Sequence, residues 1–400
     1  AGLAAAEQAG VVVVGAAAGE DTARAEALSG ADLVLDGVLG IGGRPGLPGE
    51  AQRWVDAIPD DAYVLAVDLP SGQDPQGERA TADAVFADET VTFGVPKPVH
   101  LLPATEAAVG RLTVVDIGLT PSGPPAVERV TRDDVAGMWP VPTAGDDKYS
   151  RGVLGIVAGG ERYTGAAVLC CTAAVDSGVG MVRYIGPPTP TGLVRAGVPE
   201  SVVGEGRVQA WVVGPGLDPE ADGPGDEQVA VAARALASDL PVLLDAGGLD
   251  LLTSRRLAPT LLTPHAGELA RLLSRLAGED VTRAEVEAAP LEHARQAAAA
   301  TGATVLLKGA TTLVVPPPDA GLPVRSQADA PPWLATAGAG DVLAGLAGTL
   351  LAAGLSPLDA GSLAALVHGV AADRANPGGP VRALAVAHGL PSAVAALLAR

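Results

Sequence analysis

The chain has 400 residues, more than one hydrophobic core usually serves, so two domains are expected. Its 46 Asp and Glu against 26 Lys and Arg leave a formal charge of −20 with no basic stripe, which excludes nucleic acid and anionic membrane surfaces as partners. Apolar residues make up 48% and aromatics 2%, so small aliphatic side chains on helices and strands must build the core, as in a soluble α/β enzyme.

The chain opens "AGLAAAEQAG", without methionine, a basic segment or a cleavage site. It reads as a fragment cut inside a helix, and the cytoplasm is the expected location. Short apolar runs follow: "VVVVG" at 11, "ADLVLD" at 31, "AYVLAVD" at 62, "TVTFG" at 90 and "RLTVVDIG" at 111. Buried strands separated by helices predict a mostly parallel sheet over residues 1–120. Residues 121–147 mix Pro, Gly and charge without a sustained period and are expected to be a linker.

From 148 to 400 the alternation restarts. Strands are expected in "VLGIVAGG" (153), "MVRYIG" (181), "QAWVVGPG" (209), "PVLLDAGG" (241), "PTLLTPHAGE" (259) and "ATVLLKGATTLVV" (303). Helices are expected at 164–177, 225–238 and 282–300, and from 341 and 360. This predicts a doubly wound sheet with its own core. The adjacent Cys170 and Cys171 fall in an apolar helical run and read as buried core in a reducing compartment. The Pro-rich stretch 316–332 reads as a loop, and the uncharged run 342–358 is too short and interrupted to span a membrane.

In an open α/β sheet, ligands bind beyond the carboxyl ends of the strands. Six predicted strand ends carry "GGERYTGAA", "GPGLD", "DAGG", "TPHAGE", "KGATT" and, after "WLA", "TAGAGD". In the last, glycines let backbone N–H groups approach a phosphate and the following helix adds its positive end. Asp341 stands in that helix's first turn, where it is either a cap or a functional carboxylate. Lys308 ends a strand and precedes a turn with two hydroxyls, suited to a nucleotide. His265, after a proline and before Glu268, stands at the rim. No HExxH, CxxC or histidine cluster points to a transition metal. His100, His293, His368 and His388 read as structural or surface residues.

Five motifs, in residues 148–187, "VVGPGLD", "LLTPHAGELARLL", "LLKGATTLVV" and "ATAGAGDVLAGLAGTLLAAGLSPLDA", together resemble the NAD(P)H-hydrate dehydratase family of ribokinase-like proteins. The first third, with "VLDGVLGIGGRPG", "AVDLPSGQD" and "ADETVTFGVPKPVHLLP", resembles the second half of an NAD(P)H-hydrate epimerase domain. The fold implied is α/β throughout: a truncated Rossmann-like epimerase domain followed by a ribokinase-like doubly wound domain.

The resemblance implies ADP- or ATP-dependent dehydration of (S)-NAD(P)H-hydrate to NAD(P)H, with Mg²⁺, and R/S interconversion by the epimerase part with K⁺. Ala166, Gly216, His265 and Asp341 would contact the hydrate, with Asp341 catalytic. Lys308, Gly309, Ala310, Thr311, Thr312 and Gly340 would hold the nucleotide. Asp36 and Ser71 would bind potassium, the run from Gly40 to Gly46 would line the hydrate's phosphates, and Asp68 would touch the ligand and handle a proton. The family's Asn-Asn-Gly-Gly-Asp loop would fall before Ala1, so the first domain is expected to expose a sheet edge and to contribute little epimerisation. A homo-oligomer is expected. The competing readings are a ribokinase-like kinase of a small vitamin-precursor alcohol and a non-catalytic nucleotide-binding protein.

Overall fold

The computed structural model describes residues 2–14, 21–218, 226–278 and 280–400. They form two units, one ending at Gly123 and the other running from Pro124 to Arg400.

In the first unit four short apolar runs become strands: β1 (Leu33–Asp36), β2 (Tyr63–Val67), β3 (Glu89–Phe93) and β4 (Arg111–Val115). They lie parallel in the order β1-β2-β3-β4. The strand expected at 11 does not form. Val11 donates its N–H to Ala6 O and Gly10 turns at φ 86°, so the run closes off the helix Gly2–Gln8 instead of joining a ladder. Val11 to Val14 are exposed, as are Leu33 and Leu35 on β1.

The second unit carries β5 (Val127–Glu128), β6 (Val153–Val157), β7 (Met181–Ile185), β8 (Val202–Val203), β9 (Ala210–Val213), β10 (Val242–Leu244), β11 (Thr260–Leu262), β12 (Thr304–Leu307), β13 (Thr312–Val315) and β14 (Val324–Gln327). Their order is β5-β14-β13-β12-β11-β10-β9-β6-β7-β8. The strands from β12 to β8 in that order are parallel, while β13 is antiparallel to both its neighbours. Every residue of β6, β9, β10, β11 and β12 is buried, as strands covered on both faces must be. From β6 the chain winds one way through β7 and β8, and from β9 the other way through β10 to β12. The switch point therefore lies between the adjacent strands β6 and β9.

The core is aliphatic. Cys170, Cys171 and Ala174 of the helix Thr164–Asp176 share it with Leu343, Leu346 and Leu350 of the helix Ala339–Ala352, and with Leu363 and Val367 of the helix Pro357–Ala375. Both cysteines are free and fully buried, as read from the sequence.

Several boundaries differ from expectation. Residues 124–147 are not a free linker but part of the second unit. Val127–Glu128 pairs with Val324–Arg325, Gln327 takes both backbone groups of Val130, and Val130, Val135 and Trp139 are buried in its core. The stretch 316–332 is not all loop, because β14 lies within it, held to β13. "WLA" is no strand: Pro332–Leu334 is a single 3₁₀ turn led by proline. The helix expected at 282–300 is two, Arg283–Ala288 and Pro290–Thr301, divided where Pro290 can only open a new helix. The helices Pro188–Gly197 and Ala383–Leu398 were not among those expected, since prolines in the first turn of one and inside the other mask the helical pattern. No helix among the described residues is long and apolar enough to cross a membrane.

Candidate active site

Two places gather polar side chains beyond strand ends, one in each unit. In the second unit the helix Ala339–Ala352 is opened by Gly338 at φ 86°, a left-handed conformation in which any other residue would be strained. That turn places Gly340 and Asp341 in the first helical turn, where N–H groups have no intrahelical acceptor. A Cβ added at Gly338 would lie 2.5 Å from the side chain of Leu169, one turn beyond Ala166 on the helix Thr164–Asp176. Ala166 in turn abuts Gly216: a Cβ added there would lie 2.7 Å from the Ala166 Cβ. Gly216 follows β9, and Gly159 after β6 donates its N–H to Pro215 O at 2.7 Å. Ala166 and Gly216 therefore sit at the switch point, and the turn carrying Asp341 faces it.

Lys308 follows β12 and its N–H donates to Pro264 O, which brings Lys308 beside His265 in a parallel bridge. Its Nζ donates to Asp245 Oδ1 at 2.8 Å and stands 3.6 Å from Glu268 Oε2. Asp245, at the end of β10, is buried and also accepts from Thr263 Oγ1 at 2.9 Å. A Cβ at Gly340 would lie 3.3 Å from Lys308 Nζ and 3.8 Å from Asp245 Oδ2, so the ammonium and the buried carboxylate lie directly against the glycine turn. Burial and then the nearby Asp245 push the Asp341 carboxyl up to about 7, against the pull of Lys308. For Lys308 burial works to lower proton affinity, but Asp245, Glu268 and Asp341 outweigh it and the group is raised. Lys308 is therefore a firm cation and Asp341 a carboxylate that gains or loses its proton near neutrality.

His265 caps the helix Ala266–Ala277. Its Nδ1 accepts from the N–H groups of Gly267 and Glu268, and Glu268 Oε2 accepts in return from His265 N at 2.8 Å. With Nδ1 accepting, the neutral ring carries its proton on Nε2, which is 3.6 Å from Glu268 Oε1. Half of the side chain is exposed, so capping and ligand contact are compatible. Gly309, Ala310 and Thr311 form the turn that follows Lys308 after β12, and Thr312 opens β13. From the sequence Glu268 stood only as a residue that follows His265 at a helix start, and Asp245 and Thr263 only as the first residues of strand-end motifs, with no role given to any of the three. Their signal was position, each being just beyond a strand or in the first turn after one.

In the first unit Asp36 and Ser71 are bonded twice. Ser71 Oγ donates to Asp36 Oδ1 at 2.6 Å and Ser71 N–H to Asp36 Oδ2 at 2.7 Å, both groups buried. Leu39 N–H donates to Ser71 Oγ, and Gly46 N–H to Gly72 O, so the run from Gly40 to Gly46 folds over the same end of β1 and β2. Asp68, at φ 73°, holds a strained left-handed conformation. Its Oδ1 accepts from Lys97 Nζ at 2.6 Å and from Thr92 Oγ1 at 2.9 Å. Burial works to raise its carboxyl, but the bonds from Lys97 and Thr92 hold it below the ordinary range. His100 is buried beneath: its Nδ1 accepts from Lys97 N–H and its Nε2 donates to Asp68 O at 2.7 Å. Lys97, Thr92 and His100 are thus further members of this site, and His100 has a defined role in holding the Asp68 backbone. Among the described residues no group of three or more His, Cys, Asp and Glu gathers to hold a metal ion.

A doubly wound sheet that gathers a glycine turn, an anchored lysine and a carboxylate at its switch-point edge marks an α/β enzyme with its ligand site at that edge. Residues 154–385 match the family model described as NAD(P)H-hydrate dehydratase, and residues 2–99 match that of the YjeF-related protein N-terminus. The chain belongs to the NAD(P)H-hydrate dehydratase family, with the YjeF-related part ahead of it. It is 46% identical over 338 residues to the bifunctional NAD(P)H-hydrate repair enzyme Nnr of Mycobacterium tuberculosis (strain CDC 1551 / Oshkosh), a match covering 81% of this chain and 66% of that protein. The corresponding protein of Mycobacterium leprae is 44% identical over 364 residues, covering 87% and 71%. The crystal structure of an ADP/ATP-dependent NAD(P)H-hydrate dehydratase from Bacillus subtilis, co-crystallized with ATP/Mg²⁺, is similar at a TM-score of 0.58 and 26% identity, covering 67% of this chain and 97% of that one. A ribokinase-like superfamily protein from Enterococcus faecalis V583 shares the fold, at a TM-score of 0.57 and 20% identity, covering 70% and 99%.

Proposed function

We propose that the second unit dehydrates (S)-NAD(P)H-hydrate at the expense of ADP or ATP, with Asp341 accepting the proton of the attacking hydroxyl. The observation that carries this is the place of Asp341 in the first turn of a glycine-opened helix with the half-buried Lys308 ammonium against that turn, where burial raises the Asp341 carboxyl to about 7. A site that only bound phosphate would be weakened by that carboxylate. A site that must deprotonate a hydroxyl attacking a phosphate needs it.

Asp341 takes the proton from the hydrate's ring hydroxyl while that oxygen bonds to the terminal phosphorus of the nucleotide and the donor's P–O bond breaks. The ring C–O bond then breaks with phosphate as leaving group, the departing phosphate accepts the proton of the adjacent ring carbon, and that C–H electron pair restores the ring double bond. Lys308 and the N–H groups of the 338–341 turn face the charge that develops on the phosphoryl oxygens. Gly309 to Thr312 border the nucleotide. Ala166, Gly216 and His265 border the hydrate, His265 through its Nε2–H. Mg²⁺ would arrive on the nucleotide's phosphates and neutralise them. End-product analysis tests the assignment: the reading requires released phosphate and an unphosphorylated reduced nicotinamide, whereas a product that retains phosphate would make the chain a kinase.

For the first unit the reading is R/S interconversion, supported by the union of Asp36, Ser71, the run from Gly40 to Gly46 and Asp68 at one sheet end. The buried oxygens of Asp36 and Ser71 are hard donors that suit K⁺ over a transition metal. A potassium ion there would order the phosphate-lining run. Asp68, paired with Lys97 at 2.6 Å, places a carboxylate and an ammonium side by side at that end.

A further inference from the structure

We propose that Asp245 is a positioning residue of the second unit's site, anchoring the Lys308 ammonium against the Gly340 turn and standing as a second carboxylate beside Asp341. The inference rests on the nucleotide-dependent reading of this site and adds to it a residue outside the nucleotide and hydrate contacts given above.

Four observations support the role. Asp245 is 2% exposed, so neither solvent nor a surface ligand accounts for its charge. A buried carboxylate without partners would be costly, and this one is held by two donors from different strand ends, Thr263 Oγ1 at 2.9 Å and Lys308 Nζ at 2.8 Å. Both donors fall on Oδ1, while Oδ2 is the oxygen nearer the Gly340 turn. Lys308 has four rotatable bonds to lose, and the anchor fixes its ammonium where a phosphate over the 338–341 N–H groups would meet it.

Asp341 faces Asp245 from the end of β10 and Lys308 from the end of β12, while Cys170 lies within the field of both carboxylates from the helix Thr164–Asp176. Burial holds the Cys170 thiol well above its ordinary range, so it contributes no charge. Glu268 raises the proton affinity of Lys308, and the Lys308 charge in turn lowers that of His368. Replacing Asp245 by Asn removes the repulsion on Asp341 and releases Lys308 to act on it, two changes of the same sign.

The test compares Asp245→Asn and Asp245→Glu with the wild-type chain in two measurements that need no hydrate. One is the pH titration of the carbonyl carbon-13 signal that Asp341→Asn abolishes; the other is calorimetric binding of ADP with Mg²⁺. The Asn variant should titrate about one pH unit lower and bind ADP about tenfold more weakly, and the Glu variant should restore the titration. A folded Asn variant with an unmoved titration and unchanged ADP affinity would overturn the proposal. If the Asn variant does not fold, Thr263→Val releases the carboxylate while keeping its charge. It should weaken ADP binding by about threefold or more, and unchanged binding there would equally refute the role. Because neither readout uses the hydrate, they decide the role of Asp245 whether or not the wild-type chain turns hydrate over.

Discussion

Asp341 shows how a single side chain can be written in a sequence and still change meaning in a structure. "GAGD" alone leaves both a cap and a base open, and the helix's N-cap position proves to be Gly338, with Asp341 three residues further on. Asp341→Asn should leave ADP affinity within a few-fold and lower turnover by about two to four orders of magnitude, read in steady-state kinetics beside calorimetry. Its proton affinity also affects stability. A carboxyl raised to about 7 in the fold favours the native state fully below the ordinary carboxylate range, and that contribution is lost as pH climbs through about 7. Denaturation at pH 8 should therefore find Asp341→Asn more stable than wild type, by at most about 4 kcal/mol, and at pH 4 the two should be close. His265 offers a second separation. Ala in its place removes the helix cap and should cost about 1 kcal/mol; Asn retains a capping oxygen and should recover most of that stability, so any loss of hydrate affinity common to both belongs to the imidazole.

At the scale of elements, legibility followed the range of the interaction. The parallel strands and the glycine turn could be read because their cause is local: a run of Val and Leu, a glycine at positive φ, a helix start. Pro-led turns such as Pro332–Leu334 imitated a strand end because "WLA" is apolar without being paired. The clamp of Asp245 on Lys308 joins residues 63 positions apart, and the bond from Lys97 to Asp68 joins residues 29 apart, so neither had a local signature. The helix Pro357–Ala375 carries a further case. His368 on it is buried and its Nε2 finds no hydrogen-bond partner among the described residues. Burial, with Lys308 adding to it, drives the imidazole down to about 4. Its neutral form thus favours the fold above the ordinary histidine range, and that support drains away as pH falls through about 4. His368→Leu should keep neutral-pH stability within about 1.5 kcal/mol and flatten the loss between pH 6.5 and 4, as urea denaturation across that interval would record.

For the whole molecule the division at Gly123 and Pro124 makes a prediction that a linker over 121–147 would not. Every residue assigned to the dehydration site lies beyond Pro124, so residues 124–400 should retain turnover of S-hydrate within a few-fold. Starting instead at 148 removes β5 and the buried Val130, Val135 and Trp139. At about 1.5 to 3 kcal/mol per buried large side chain, that piece should lose several kcal/mol and unfold at markedly lower denaturant. The first unit bears on a different reaction. R-hydrate should be consumed no faster than its spontaneous epimerisation supplies the S form, and a clear excess would establish the Asp36, Ser71 and Asp68 end as active. The most direct test of the account is the recovery of reduced-nicotinamide absorbance when the chain meets S-hydrated NADH, Mg²⁺ and, in turn, ADP or ATP. Recovery that requires a nucleotide and fails in Asp341→Asn is the result predicted; flat absorbance with a folded wild-type chain and either nucleotide would contradict it.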